Sequence, residues 1–150
     1  MKHLICSFIA FVSCIAVKAQ QPVSWQYSAR KIAAKTYEVK ITATIESSWH
    51  IYSQSTPDGG PLPTKISFSK NPLLITNGSI KEIGKLHQKY EEAFGVDVKQ
   101  YAEKVEFVQV VKSKSDNIKT NISGTINYMV CTDEQCLPPA TVNFSIAVGE

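Results

Sequence analysis

The sequence predicts an all-β antiparallel sandwich, and three observations carry that expectation. Several stretches place an apolar residue at every second position, turn-forming Gly, Pro and Asn residues separate them, and no repeated helical units intervene. A period of two is what a strand shows when one face is buried and the other meets water. The longest such run is Tyr37, Val39, Ile41, Ala43 and Ile45, with Lys35, Glu38, Lys40, Thr42 and Thr44 as polar neighbours. Trp49-His50-Ile51-Tyr52 reads as a continuation of that strand or as a strand paired with it. Thr56 to Pro63 is turn chemistry, because Gly and Pro supply backbone angles that strands do not use. Alternation resumes from Thr64 to Ser69 through Ile66 and Phe68.

Asn77-Gly78, between Leu73-Leu74-Ile75 and Ile80, predicts a hairpin. Val105, Phe107 and the run Val108 to Val111 predict a further strand. Ile122, Ile126, Tyr128 and Val130 share one face of the next, and Val142, Phe144, Ile146 and Val148 line the inner face of the last. Leu86 to Tyr101 breaks the pattern. Leu86, Tyr90, Phe94 and Val98 recur every fourth residue, a spacing that also suits a helix, but Gly95 interrupts it. A loop with short irregular structure is expected there.

The N-terminus predicts export. Met1-Lys2-His3 is a short basic start, and Leu4 to Val17 is an almost unbroken apolar run, shorter than the roughly 20 residues a membrane-spanning helix needs. Cleavage is expected after Ala19, leaving residues 20–150 as one domain with a core large enough to fold alone. An uncleaved anchor, or a lipoprotein modified at Cys14, fits the pattern less well. The formal charge of +3 falls to +1 when Lys2 and Lys18 leave with the leader. A near-neutral surface argues against nucleic acid and acidic membranes as partners, and a monomer without stable membrane insertion is expected.

Cys6 and Cys14 also leave with the leader, so Cys131 and Cys136 remain, with Thr132-Asp133-Glu134-Gln135 between them. In an exported protein such a pair is able to oxidise to itself. Lying between two strand patterns, the sulfurs can face each other across the mouth of a hairpin. Strand parity puts Ile126, Tyr128 and Val130 on the buried face and Cys131 on the other, so Cys131 is expected near the surface. A stabilising clip and an exchangeable redox pair both remain open at this point. Closing so short a loop removes only about 2 kcal/mol of unfolded-chain entropy in the simple model. Asp133 and Glu134 disfavour a thiolate, and no Lys or Arg lies in the loop, so reactivity is expected mainly in a complex with a partner. His50 and His87 are too scattered to make a persuasive metal site with the sulfurs. No hydrolase elbow, phosphate loop or dinucleotide fingerprint is present, and no cofactor is expected.

The segment Tyr128-Met129-Val130-Cys131-Thr132-Asp133-Glu134-Gln135-Cys136-Leu137-Pro138-Pro139 resembles the active-site stretch of the N-terminal periplasmic domain of the thiol:disulfide reductase DsbD. The shared pattern is an aromatic residue, a cysteine, a short polar loop, a second cysteine and two prolines. The resemblance implies an immunoglobulin-like fold and a redox function for Cys131 and Cys136. It implies that Cys136 forms the mixed disulfide with a partner and that Cys131 resolves it. Ser48-Trp49-His50-Ile51-Tyr52 resembles the aromatic strand beside the family's cysteines, with Tyr52 the residue carried over. Glu91-Glu92-Ala93-Phe94-Gly95 resembles the cap loop, with Phe94 as its shield and Glu91 and Glu92 helping to keep the thiols protonated. The implied partners are thioredoxin-like redox proteins and a membrane thiol:disulfide reductase. The family protein continues into membrane and thioredoxin-like domains, whereas this sequence stops at Glu150. Two readings follow: a shuttle fed by a separate membrane reductase, or a binding module whose disulfide is only structural.

Overall fold

The computed structural model describes residues 21–92 and 94–149. The leader, its expected cleavage point and Ala93 lie outside the described residues. Nine strands follow one another: β1 Val23–Ala33, β2 Thr36–Ile45, β3 His50–Tyr52, β4 Lys65–Phe68, β5 Leu74–Glu91, β6 Val96–Ser113, β7 Lys119–Tyr128, β8 Val130–Cys131 and β9 Ala140–Gly149. There is no helix among the described residues, and every strand pairing is antiparallel.

Two sheets face each other. The larger runs β1-β2-β6-β3-β8, with β5 on the other edge of β6; the smaller runs β4-β7-β9. Long β6 is the spine of the larger sheet, pairing with Thr36–Thr44 of β2 and, further along the same edge, with His50–Tyr52 of β3. The segment Trp49 to Tyr52 therefore continues the line of β2 after a turn at Ser47-Ser48, where Ser48 has φ 71°. Between the sheets lie the residues that the alternation singled out. Tyr37, Val39, Ile41, Ala43 and Ile45 of β2 and Val105, Phe107 and Val111 of β6 meet Ile122, Ile126 and Tyr128 of β7 and Phe144, Ile146 and Val148 of β9. Phe107 and Ile41 are almost fully buried, and burial of side chains this size contributes about 1.5–3 kcal/mol each.

Two sequence expectations are corrected. Asn77-Gly78 does not reverse the chain. It forms a bulge in β5, which runs on along β6 with Asn77 opposite Val110 and Lys81 opposite Val108. Gly78 uses its freedom at φ 75°, and buried Gln109 donates from Nε2 to the exposed carbonyls of Asn77 (3.1 Å) and Gly78 (3.3 Å). Leu86 to Tyr101 is not an irregular loop either. It is the far end of the β5–β6 hairpin, in register from Leu86 opposite Tyr101 to Glu91 opposite Val96. Gly95, at φ 68°, closes the tip, where the N–H groups of Phe94 and Gly95 both donate to the Glu91 carbonyl.

The path of β7 positions the cysteines. The chain leaves the smaller sheet after Tyr128, passes through Met129, and joins the edge of the larger sheet as β8, paired with β3. Val130 still faces the main core, while Cys131 lies on the outer face of the sheet.

Candidate functional site

The geometry of the cysteine pair begins with its loop. Thr132 Oγ1 accepts hydrogen bonds from the N–H groups of Glu134 (3.2 Å) and Gln135 (3.1 Å), folding the polar segment back on itself. Thr132 N–H donates to the Gln135 carbonyl (2.7 Å), and Leu137 N–H donates to the Val130 carbonyl (3.0 Å). These two bonds flank Cys131 and Cys136, which therefore face each other at a non-hydrogen-bonded antiparallel position, where backbones come closest. Their Cα atoms are 4.0 Å apart and a disulfide joins them. Pro138 and Pro139 follow at once. Lacking N–H groups, they cannot extend the ladder, so the pair stays at the end of a short hairpin before β9 begins.

The sequence expectation that Cys131 lies near the surface is corrected: it is 1% exposed, whereas Cys136 is exposed. Parity does place Cys131 on the outer face of the sheet, as Met129 and Cys131 cluster apart from the main core. That face is covered here, however, by Tyr52, Val98 and Val96, and Cys131 forms a second small core with them. One disulfide thus joins a buried residue to an exposed one.

Around Cys136 lies a cleft of about 220 Å³, lined by His50, Tyr52, Glu91, Phe94 and the stretch Thr132 to Cys136. Strand β3 supplies His50 and Tyr52, two residues apart and so on one face. The tip of the β5–β6 hairpin supplies Glu91 and Phe94 from the opposite side, and the cysteine loop supplies Asp133 and Glu134. Among the other residues predicted for the site, Glu92 is exposed at the hairpin tip, Gly95 shapes the turn, and Pro138 and Pro139 lie exposed beyond Cys136; none of these four lines the cleft. Phe94 stays 44% exposed even though it faces the cleft. Ala93 lies outside the described residues.

Three contributors escaped the sequence reading. His50, read there as part of the aromatic strand and as a weak metal ligand but given no role of its own, packs edge-on against Tyr52 with ring centroids 5.3 Å apart, and its Nε2 shares a hydrogen bond of 3.2 Å with the Tyr52 hydroxyl. The alternation through Trp49-His50-Ile51-Tyr52 would have placed these two rings together. Thr132 is the second, and a threonine opening a polar loop is a recognisable turn former. Glu82 is the third. Its carboxylate accepts from Ser53 Oγ (2.6 Å), Gln54 N–H (2.7 Å) and Tyr101 Oη (3.0 Å), tying the end of β3 to β5 and β6. Nothing local in the sequence marks it.

The electrostatics follow from burial and these carboxylates. Burial, then the negative charges of Glu91 and Asp133, push Tyr52 up to about 12, so its hydroxyl keeps its proton. Burial is also the main influence on His50 and lowers its pKa; Asp133 and Glu91 oppose the shift, and Lys89 reinforces it. Lys89 reaches the site from β5 and is itself paired with Glu91 at 3.1 Å. The acidic character read from the loop is therefore tempered by a cation from another strand. Among the described residues no group of three or more His, Cys, Asp or Glu side chains is arranged to hold a metal ion, and no helix is long and apolar enough to cross a membrane.

The fold and site define the class: an immunoglobulin-like sandwich with a disulfide hairpin at one sheet edge, Cys131 buried and Cys136 exposed. Residues 17–147 match the family described as thiol:disulfide interchange protein DsbD, N-terminal, and the chain belongs to that family. Among solved structures it is similar to the N-terminal periplasmic domain of ScsB from Proteus mirabilis, with a TM-score of 0.58 and 14% identity over 87% of this chain and 47% of that one. It thus spans about half the length of that ScsB chain. It is also similar to the reduced form of the Neisseria meningitidis DsbD N-terminal domain, with a TM-score of 0.55 and 15% identity over 86% of this chain and 87% of that one. No curated protein matches the chain in sequence. The ScsB domain is periplasmic.

Proposed function

We propose that this protein is exported by a leader cleaved after Ala19 and carries reducing equivalents through a reversible Cys131–Cys136 disulfide. It takes electrons from a thioredoxin-like donor or a membrane thiol:disulfide reductase and passes them to oxidised envelope proteins. The observation that carries the reading is the asymmetry of the pair, with Cys131 1% exposed and Cys136 open to the cleft. A two-cysteine carrier needs one sulfur that a partner can reach and another that releases the partner afterwards. Cys136 is the first and Cys131 the second. Phe94, at the hairpin tip, restricts access to Cys136, and Glu91, Asp133 and Glu134 put negative charge around the cleft, which disfavours a thiolate there.

Trapping tests the division of labour. Cys131→Ser accumulates mixed disulfides through Cys136 in the cell envelope, and Cys136→Ser accumulates few. Equal trapping by both variants contradicts the assignment. A wild-type pair found fully oxidised in every redox background contradicts cycling itself, and points to a permanent clip on a binding module.

A further inference from the structure

We propose that His50 is the proton acceptor for the Cys131 thiol when that sulfur resolves a mixed disulfide. The inference rests on the reading of Cys136 as the partner-facing sulfur and adds the group that handles the proton.

The need for such a group comes from the burial of Cys131. It sits among Tyr52, Val98, Val96 and Met129, surroundings that disfavour a charged thiolate once the disulfide is open. Yet it is the sulfur that must attack Cys136 from inside the protein. Water reaches it poorly, since only 1% of the residue is exposed. A base supplied by the fold removes that difficulty.

His50 is placed for the task by the sheet itself. Strand β3 pairs with β8 so that His50 stands directly opposite Cys131. Directly opposed residues on one face carry Cβ atoms about 4.5–5.5 Å apart, within reach of an imidazole and a thiol. The residue is 8% exposed and lines the same cleft as Cys136, so it stands between the sulfur opposite it in the sheet and the entry route. Its bond to Tyr52 fixes the ring plane. When Nε2–H donates to the Tyr52 oxygen, Nδ1 keeps a free lone pair. The titratable and charged groups facing His50 are Tyr52 on β3, Lys89 and Glu91 on β5, Asp133 and Glu134 in the loop, and the two cysteines. Burial favours the neutral ring, the form able to accept a proton, while Asp133 and Glu91 favour the imidazolium that forms transiently.

The step balances as follows. The mixed disulfide joins Cys136 Sγ to the partner's sulfur. Cys131 gives its proton to His50, and its sulfur electron pair attacks Cys136 Sγ. The bond from Cys136 to the partner breaks, and the partner's sulfur leaves with the electron pair as a thiolate. The Cys131–Cys136 pair is oxidised by two electrons and the partner's former disulfide is reduced. His50 then passes its proton to the departing thiolate or to water. The reverse sequence protonates Cys131 when a donor thiolate opens the disulfide at Cys136.

An aromatic disulfide that releases thionitrobenzoate resolves the two steps. The reduced protein attacks through Cys136 and releases one chromophore; resolution by Cys131 releases the second. For His50→Gln, the second phase at pH 7 slows at least tenfold, within the range general base catalysis supplies, and gains a rate that rises with pH across 5–9. The ratio of the second-phase rate to the first falls by the same factor, which separates loss of the base from a change in the cleft that slows both phases alike. His50→Tyr, which keeps an aromatic ring but offers no base, behaves like His50→Gln if the proton matters and like wild type if only packing does. A second phase unchanged in rate and pH dependence in both variants overturns the proposal. Failure of the underlying reading looks different: wild type releases no second chromophore, or Cys131→Ser leaves no stable single adduct.

Discussion

Reducing the Cys131–Cys136 disulfide leaves the sandwich folded and costs about 2 kcal/mol. The figure comes from the loop: the cysteines are separated by 5 in sequence, and closing about six residues removes on the order of 2 kcal/mol of unfolded-chain entropy at 25 °C. The hairpin keeps its backbone bonds from Thr132 to Gln135 and from Leu137 to Val130 without the sulfur bridge, and the main core is built from the facing sheets rather than from the cysteine loop. For a domain of this length the loss corresponds to a fall of about 6–10 °C in Tm. Denaturant titrations of the oxidised protein and of the protein in excess dithiol, followed by tryptophan fluorescence, measure it. A reduced protein that is unfolded at 25 °C, or a loss above about 4 kcal/mol, refutes the reasoning and makes the bond a structural clip.

Phe94→Ala opens the approach to Cys136 and raises the rate at which small thiols reduce the disulfide several-fold, measured by stopped-flow; an unchanged rate removes Phe94 from any shielding role. Glu82→Ala strands Ser53, Gln54 and Tyr101 and costs about 2–3 kcal/mol in urea unfolding, whereas a loss below about 0.5 kcal/mol means water replaces the carboxylate at no expense. His50 has a lowered pKa in the folded state, so below its unfolded value of about 6.5 the unfolded chain binds more protons. Its contribution is full above that pH and is lost as pH falls towards the folded value. The Tm therefore declines on acidification from pH 7, and His50→Gln flattens the decline; identical profiles contradict it.

Where the strands bury one face, the sequence showed them: β2, β7 and β9 carry apolar residues at alternate positions, and those residues form the core. β1 received no assignment, although Val23, Trp25, Tyr27 and Ala29 alternate in the same way. The outer half of the β5–β6 hairpin was not legible because β5 exposes almost every residue there, leaving no buried face to impose a period. The spacing of four between Leu86 and Tyr90 is twice a strand's repeat as well as nearly a helical turn, so it could not decide. Asn77-Gly78 reported correctly that the backbone takes positive φ at Gly78, but local chemistry does not say whether the chain reverses or bulges. Parity found the face of Cys131, but its cover comes from β3 and β6, far away in sequence. Glu82 was missed for the same reason, since its partners Ser53, Gln54 and Tyr101 lie far from it in sequence.

The equilibrium potential of the Cys131–Cys136 pair, measured against glutathione buffers, is the most direct test of an exchangeable bond. A value above about −300 mV is expected for a pair that cycles with redox partners. A value below it, where structural disulfides lie, contradicts the redox function whatever the family membership.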